Sequence, residues 1–459
     1  MNVVNRRTSK LPWCPTCAAS LAIVLASVFL NASSPKFFQA ATQGEFLKGD
    51  VENLSIDSHG QLVLGPATEL VYETASPFLW TLVPGADGVL FAGAGNDGKV
   101  FRIDAQGKGS TLFDAAELEV HAIAPGPNGL VYVGTSPDGK IYKIDRNGSS
   151  SVFFEPQEKY IWALAVDAKG SVYAATGEKG VVYKIAPDGT GAPFYHTKAT
   201  HATALTLDRS GNLLVGTESP GRVLRVDAEG KGFVLLDSPF QEIRTLRFDD
   251  KGALYVAAVN GRPGSGASPS VTTTEDRSDR TSSDPSRPPV PSVTTEVVSV
   301  SIGDTSGSGS TGSSGRDDHR SLKGAVYRIA PDGLWDQLWE SRDDSPYDLV
   351  FDAEGRVVIG TGNKGKIYRL EGNPPQPTLL ARAAAQQITA MYKDPKGRLY
   401  YATANPGKVY RLSSELAPEG KYESEPRDAI TVSTWGKISW RGTMPAGTRI
   451  QVYTRSGNT

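Results

Sequence analysis

Two histidines, His121 and His201, stand with the carboxylates Glu119 and Glu242 at one recurring pair of offsets. The cation Arg244 and the rings Trp80, Tyr160, Trp162 and Tyr347 share those offsets. Histidine beside glutamate can move a proton or, with a bound cation, stabilise a developing oxyanion. Tryptophan and tyrosine offer flat apolar area with a polar handle, the chemistry of recognition. The offsets are counted from a series of turn glycines: Gly88, Gly129, Gly170, Gly211, Gly252, Gly355 and Gly397. Eight residues before each stand Trp80, His121, Trp162, Thr203, Arg244, Tyr347 and Thr389. Ten residues before stand Phe78, Glu119, Tyr160, His201, Glu242, Ser345 and Gln387. The surrounding residues stay uniform from copy to copy while these two positions vary. A rim of varied aromatic and charged groups on a uniform scaffold is where a ligand or partner site is expected.

The elements that position them are short strands. The glycines recur every 41 residues over the first four intervals, a period of solenoids, arrays or propellers. The segment Trp162 to Thr197 holds four alternating apolar runs separated by the turns Asp-Ala-Lys-Gly, Glu-Lys-Gly and Pro-Asp-Gly. Four strands per repeat, here a to d, make a propeller blade. Large residues recur on strand c (Phe101, Tyr142, Tyr183, Leu224, Tyr327, Tyr368, Tyr410) and small ones follow on strand b, where backbones approach closely. The seventh copy loses the pattern after Leu412, and Glu69 to Ser76 matches the missing d strand. Pairing it there removes the free edges of an open ring. The expected fold is all-β: a seven-bladed β-propeller over 69–415, closed by an N-terminal strand. The variable positions lie where the d–a loop enters strand a, at the mouth of the central channel.

The repeats resemble NHL, streptogramin-lyase-like and SMP-30-like propellers of secreted bacterial proteins. The carrying residues are WALAVDAKGSVYAATGEKGVVYKI (Trp162 to Ile185) and its copies, over about Glu69 to Leu412. Lactonases of the SMP-30-like group hold a divalent metal with Glu, Asn and Asp. No matching set stands here, and only Glu119 and Glu242 approach the mouth. Streptogramin-lyase-like enzymes rely on histidine and glutamate near a magnesium-supported site. His121, His201, Glu119 and Glu242 supply those residue types.

Residues 1–41 read as a signal peptide: a basic start, then an apolar run from Ala18 to Leu30, short for a membrane span. Cys14 and Cys17, the only cysteines, lie in that leader and would leave with it. Removing the leader's four cations, Arg6, Arg7, Lys10 and Lys36, takes the net charge from −2 to −6. That balance argues against nucleic acid or an anionic membrane as partner. Residues 42–68 form a lead-in. The interval from Gly252 to Gly355 is 103 residues, which leaves a Ser/Thr/Gly/Pro-rich insertion at 262–322 in blade 5, expected to be disordered. Residues 416–459, with Trp435 and Trp440, read as the opening of a fibronectin-like β-sandwich, too short to close one.

Three further motifs have structural explanations. Gly93 to Gly98 and Gly360 to Gly365 spell Gly-x-Gly-x-x-Gly, but strands follow them where a dinucleotide site needs a helix. The strand-c cations Arg102, Lys143, Lys184, Arg225, Arg328, Arg369 and Arg411 are spread evenly around the ring, unlike a nucleic-acid footprint. Asp167, Asp208, Asp249, Asp352 and Asp394 precede turn glycines and suit Asx turns. The function expected is a periplasmic or secreted, non-enzymatic propeller without a cofactor. It would bind a protein or glycan partner at the channel mouth through Trp80, His121, Tyr160, Trp162, His201, Glu242, Arg244 and Tyr347. The alternative is a lyase or lactonase with His121 or His201 as base and a divalent metal near Glu119 and Glu242.

Overall fold

The computed structural model describes residues 36–261, 322–430, 434 and 436–457. The leader's basic and apolar runs, its two cysteines and the insertion lie outside the described residues, but for the insertion's last residue, Leu322. Two compact units are present, one of residues 41–423 and one of 1–40 with 424–459.

The larger unit is built of antiparallel four-strand meanders. In the first, Phe78–Pro84 pairs with Leu90–Gly95, which pairs with Lys99–Ile103, which pairs with Gly109–Asp114. The same order recurs from the strands beginning Glu119–Pro125, Ile161–Val166, His201–Leu207, Glu242–Phe248 and Pro346–Phe351. The last repeat begins with Gln387–Lys393, and its outer strand comes from the N-terminal side. Pro66–Glu73 pairs with Lys408–Leu416, in a register that sets Glu69 opposite Arg411 and Tyr72 opposite Val409. Each inner strand packs beside the inner strand of the next repeat, and Gln387–Lys393 packs back against Phe78–Pro84.

The core lies between neighbouring sheets. Tyr132 and Ile141 of the second repeat cluster with Ile161, Val172, Ala174 and Ile185 of the third. Fully burying one such aliphatic side chain contributes about 1.5–3 kcal/mol, so stability is spread over every sheet-to-sheet contact. The a–b turns are fixed by paired devices. Asp167 Oδ1 accepts from the N–H groups of Lys169 and Ser171, both at 2.9 Å, and Asp208, Asp249, Asp352 and Asp394 repeat the pattern. The glycines that close these turns all have positive φ, 73° to 87°, which other residues adopt only at a cost. Several strand-c cations are locally engaged. Arg225 pairs with Asp208 at 2.8 Å, Arg411 pairs with Glu69, and Lys184 lies 5.3 Å from the Tyr173 ring centroid. Both Gly-x-Gly-x-x-Gly strings run from one strand of an antiparallel pair into the next.

The lead-in is more ordered than its sequence suggests. A one-turn helix, Gln43–Phe46, is capped by Thr42. Leu54–Ile56 then hydrogen-bonds to the outer strand Gln376–Arg382, and Leu62–Leu64 adds beyond it. Gln43 Nε2 donates to the carbonyls of Ile56 and Pro377, at 2.9 and 2.8 Å. Asp50–Glu52 pairs with Lys421–Glu423. Strands of three residues are too short to show the alternation that marks a strand in sequence. In the smaller unit the described residues of 424–457 form no strand, and Lys36 Nζ donates to the Ala429 carbonyl at 3.0 Å. Among the described residues no helix is long and apolar enough to cross a membrane.

Candidate functional site

The variable position eight residues before each turn glycine is a β-bulge in all seven repeats. Pairing between strands a and b skips one residue each time: Trp80, His121, Trp162, Thr203, Arg244, Tyr347 and Thr389. A bulged residue leaves the ladder and its side chain is re-aimed, which is why bulges gather beside functional sites. It also explains why the position varies: no cross-strand partner constrains it. Two bulged threonines reach the inner strand of the next repeat. Thr203 Oγ1 donates to the Ile243 carbonyl at 2.6 Å, and Thr389 Oγ1 donates to the Leu79 carbonyl.

One arc of this rim is a continuous array of rings. Phe78 stacks on Trp80 (centroids 5.4 Å, 4° between planes), and Trp80 on His121 (5.7 Å, 22°). His121 meets Trp162 at 4.8 Å, Tyr160 stacks on Trp162 at 5.0 Å, and His201 meets Trp162 edge-on at 5.7 Å. All six rings are half-buried. Trp162 Nε1 donates to His201 Nδ1 at 3.1 Å, whereas the buried Trp80 Nε1 has no acceptor among the described residues. His121 Nε2 lies 2.6 Å from Glu119 Oε2, and this hydrogen bond outweighs burial and holds the Glu119 carboxyl below the usual carboxylate range. Burial pushes the His201 imidazole below its ordinary value, partly opposed by the charges of Glu178 and Glu242.

The other arc carries charge. Arg244 Nη1 donates to Glu242 Oε1 at 3.3 Å, and the guanidinium lies 4.0 Å from the Tyr347 ring centroid, a cation–π geometry. The site residues inferred from sequence thus fall into two contact groups. Trp80, His121, Tyr160, Trp162 and His201 form one; Glu242, Arg244 and Tyr347 form the other.

Two features escaped the sequence reading. The first is Glu218, which ends strand b of the fourth repeat and pairs opposite both His201 and Glu242. Burial, then the Glu242 charge, pushes its carboxyl above the usual range, with Arg244 pulling the other way. The signal was present. Seven residues after the turn glycines stand Gly95, Ser136, Gly177, Glu218, Val259, Gly362 and Ala404, and one is charged. A carboxyl raised in the folded state ionises at the expense of stability as pH climbs from the unfolded to the folded pKa. Glu218→Gln is therefore expected to melt above the parent at neutral pH. The gap should close as pH drops below about 4.3, where both side chains are neutral. Melting curves across that range check it, and a gap that does not change with pH would rule it out.

The second feature lies in the same series. Glycine fills this position where the bulged residue is Trp80, Trp162 or Tyr347. A β-carbon at Gly95 or Gly362 would collide with Trp80 Nε1 or the Tyr347 ring. At Gly177 it would stand 2.7 Å from His201 Nδ1 and 2.8 Å from Trp162 Nε1. The rings lie directly over backbone, and only glycine leaves room. Gly177→Ala is expected to cost about 1–3 kcal/mol through overpacking and to change the near-ultraviolet tryptophan circular dichroism. An unchanged spectrum would count against this close packing.

Among the described residues no three His, Cys, Asp or Glu side chains gather as metal ligands. Glu119 is engaged by His121 and Glu242 by Arg244, so the donor set for a divalent cation between them is not assembled.

No known family profile matches the chain, and no curated protein matches it. Solved structures do. A streptogramin B lyase is similar at 12% identity and TM-score 0.56, covering 76% of this chain and 98% of that one. The extracellular domain of a putative one-component system from B. thetaiotaomicron is similar at 11% identity and TM-score 0.51, covering 75% and 39%. The β-propeller domain of a protein from Myceliophteria thermophila is similar at 13% identity and TM-score 0.50, covering 76% and 100%. At such identities likeness reports fold alone. The chain is an all-β protein of the β-propeller type, a fold that hosts both enzymes and binding modules.

Proposed function

We propose that residues 66–416 form a seven-bladed propeller, closed by Pro66–Glu73, that binds a protein or glycan partner through the channel-mouth face. The observation that carries this reading is the bulge in every repeat, which takes one residue per repeat out of the ladder; Trp80, His121 and Trp162 then meet one another, as do Arg244 and Tyr347. Inner-strand packing that returns from the last repeat to the first supports closure. The mouth is divided between an aromatic arc and a charged arc, a division suited to an amphipathic partner. The basic and apolar N-terminal runs support export to the periplasm or beyond.

A second reading has one specific observation in its favour. The 2.6 Å contact of His121 with Glu119 is the base-and-orienter geometry of general base catalysis, which suits a lyase or lactonase. Melting of the purified protein against divalent metals, cell-wall glycans and small lactones separates the two. A ligand at about 100 times its Kd adds about 2.7 kcal/mol of stability. A glycan shift without a metal shift supports binding. A metal shift together with lactone turnover lost in His121→Ala supports catalysis and removes the binding reading.

A further inference from the structure

The two histidines of the mouth hold their ring protons on the same atom yet present opposite chemistry outward. Glu119, as a carboxylate, can only accept, so a neutral His121 ring keeps its proton on Nε2 and leaves Nδ1 as an acceptor. His201 Nδ1 faces two obligate donors, Trp162 Nε1 at 3.1 Å and the Glu178 N–H at 3.3 Å. Its proton therefore also sits on Nε2, which is left as a donor. No described residue meets His121 Nδ1 or His201 Nε2. Trp162 stands between the two rings, 4.8 Å from one centroid and 5.7 Å from the other.

We propose that His121 Nδ1, His201 Nε2–H and Trp162 form a bidentate subsite for a neutral carbohydrate, which rests on the mouth-binding reading above. Each hydroxyl of a sugar both donates and accepts, and neighbouring gauche hydroxyls lie close together along one edge of the ring. One can donate to His121 Nδ1 while another accepts from His201 Nε2–H, with hydrogen bonds of about 2.8 Å. A single trans peptide group points its N–H and C=O in opposite directions, but an extended residue presents its own N–H and C=O on one side, so a peptide is the competing ligand that the parallel library tests. Glu119 beside His121 disfavours an anionic ligand, while Glu178 and Glu242 are each paired with a cation, Lys159 and Arg244. The outward donor on His201 gives a cation nothing to bind.

The test is retention of the full chain on a printed array of neutral oligosaccharides, with a printed peptide library in parallel. The parent is expected to be retained by a subset of the glycans. His121→Ala and His201→Phe are each expected to weaken retention about tenfold, the size of one well-made hydrogen bond. His201→Gln keeps an N–H donor and should recover part of it. Two-bond proton–nitrogen spectra of histidine-labelled protein should show both rings as the Nε2–H form. An Nδ1–H form at either ring overturns the proposal, as does retention by no neutral glycan or retention unaltered in both histidine variants. Retention on peptides alone, lost in the Trp80→Ala, Trp162→Ala double variant, removes the carbohydrate and leaves the mouth reading standing. Peptide retention indifferent to that double variant removes both.

Discussion

Replacing Trp80 and Trp162 together with alanine is expected to lower partner affinity by more than about 100-fold while the fold survives. Trp162 is the hub of the aromatic arc: it touches His121, Tyr160 and His201 and donates the hydrogen bond that orients His201. Trp80 reaches the same hub through His121. A tryptophan anchor at the centre of an interface is worth about 2–4 kcal/mol, and 1.4 kcal/mol is tenfold in affinity. Because both indoles lean on His121, the two losses should not add; a double-mutant cycle is expected to show coupling of about 0.5 kcal/mol or more. Folding should persist because the neighbours that anchor these strands, Leu79 and Ile161, are fully buried and untouched. Far-ultraviolet circular dichroism checks the fold and titration calorimetry checks the affinity. Unchanged affinity in the double variant would mean that the partner does not use this mouth.

Much of this site could be read in the chain because the repeat supplies its own control. Where five of seven copies agree on Asp-x-x-Gly turns and six on a strand-c aromatic, disagreement at Trp80, His121, Trp162 and Arg244 stands out. The cause of the disagreement was not legible. A bulge is a register event, visible only when Val120 is seen opposite Thr135 and Ala122 opposite Gly134, with His121 between them. Glu218 was missed for a related reason. The variable positions stand out on strand a, whereas Glu218 comes to His201 and Glu242 from strand b, by pairing across two repeats. The contact order within the rim was equally hidden. Nothing in the spacing of Trp162 and His201 says that an indole N–H meets an imidazole nitrogen, because that depends on rotamers and on the space left by Gly177. The strands at 54–56 and 62–64 escaped because they are too short for periodicity, and the first is held by a partner more than 300 residues away.

The largest loss of stability from a single substitution is expected at a residue that no motif marks. Asp348 follows the bulged Tyr347, at a position where the other repeats hold Thr81, Ala122, Ala163, Ala204, Thr245 and Ala390. Its carboxylate is buried and accepts from the N–H of Leu349 at 2.8 Å and of Met391 at 2.7 Å. Arg247 Nη2 reaches it at 3.1 Å. One side chain thereby joins the inner strands of three consecutive repeats, those of Arg247, Asp348 and Met391. Asp348→Ala would leave two buried N–H donors without an acceptor, each costing about 1–3 kcal/mol, so a total loss of about 2–5 kcal/mol is expected. Asp348→Asn keeps one acceptor oxygen and should fall between. Arg247→Ala should cost under about 1 kcal/mol, because the Arg247 side chain is 44% exposed and water replaces the carboxylate. That order, alanine at 348 worst and alanine at 247 mildest, separates a buried acceptor from an ion pair. Urea unfolding midpoints of the three variants measure it. If Arg247→Ala proves as damaging as Asp348→Ala, the joint between these repeats is held by charge and not by satisfaction of the backbone.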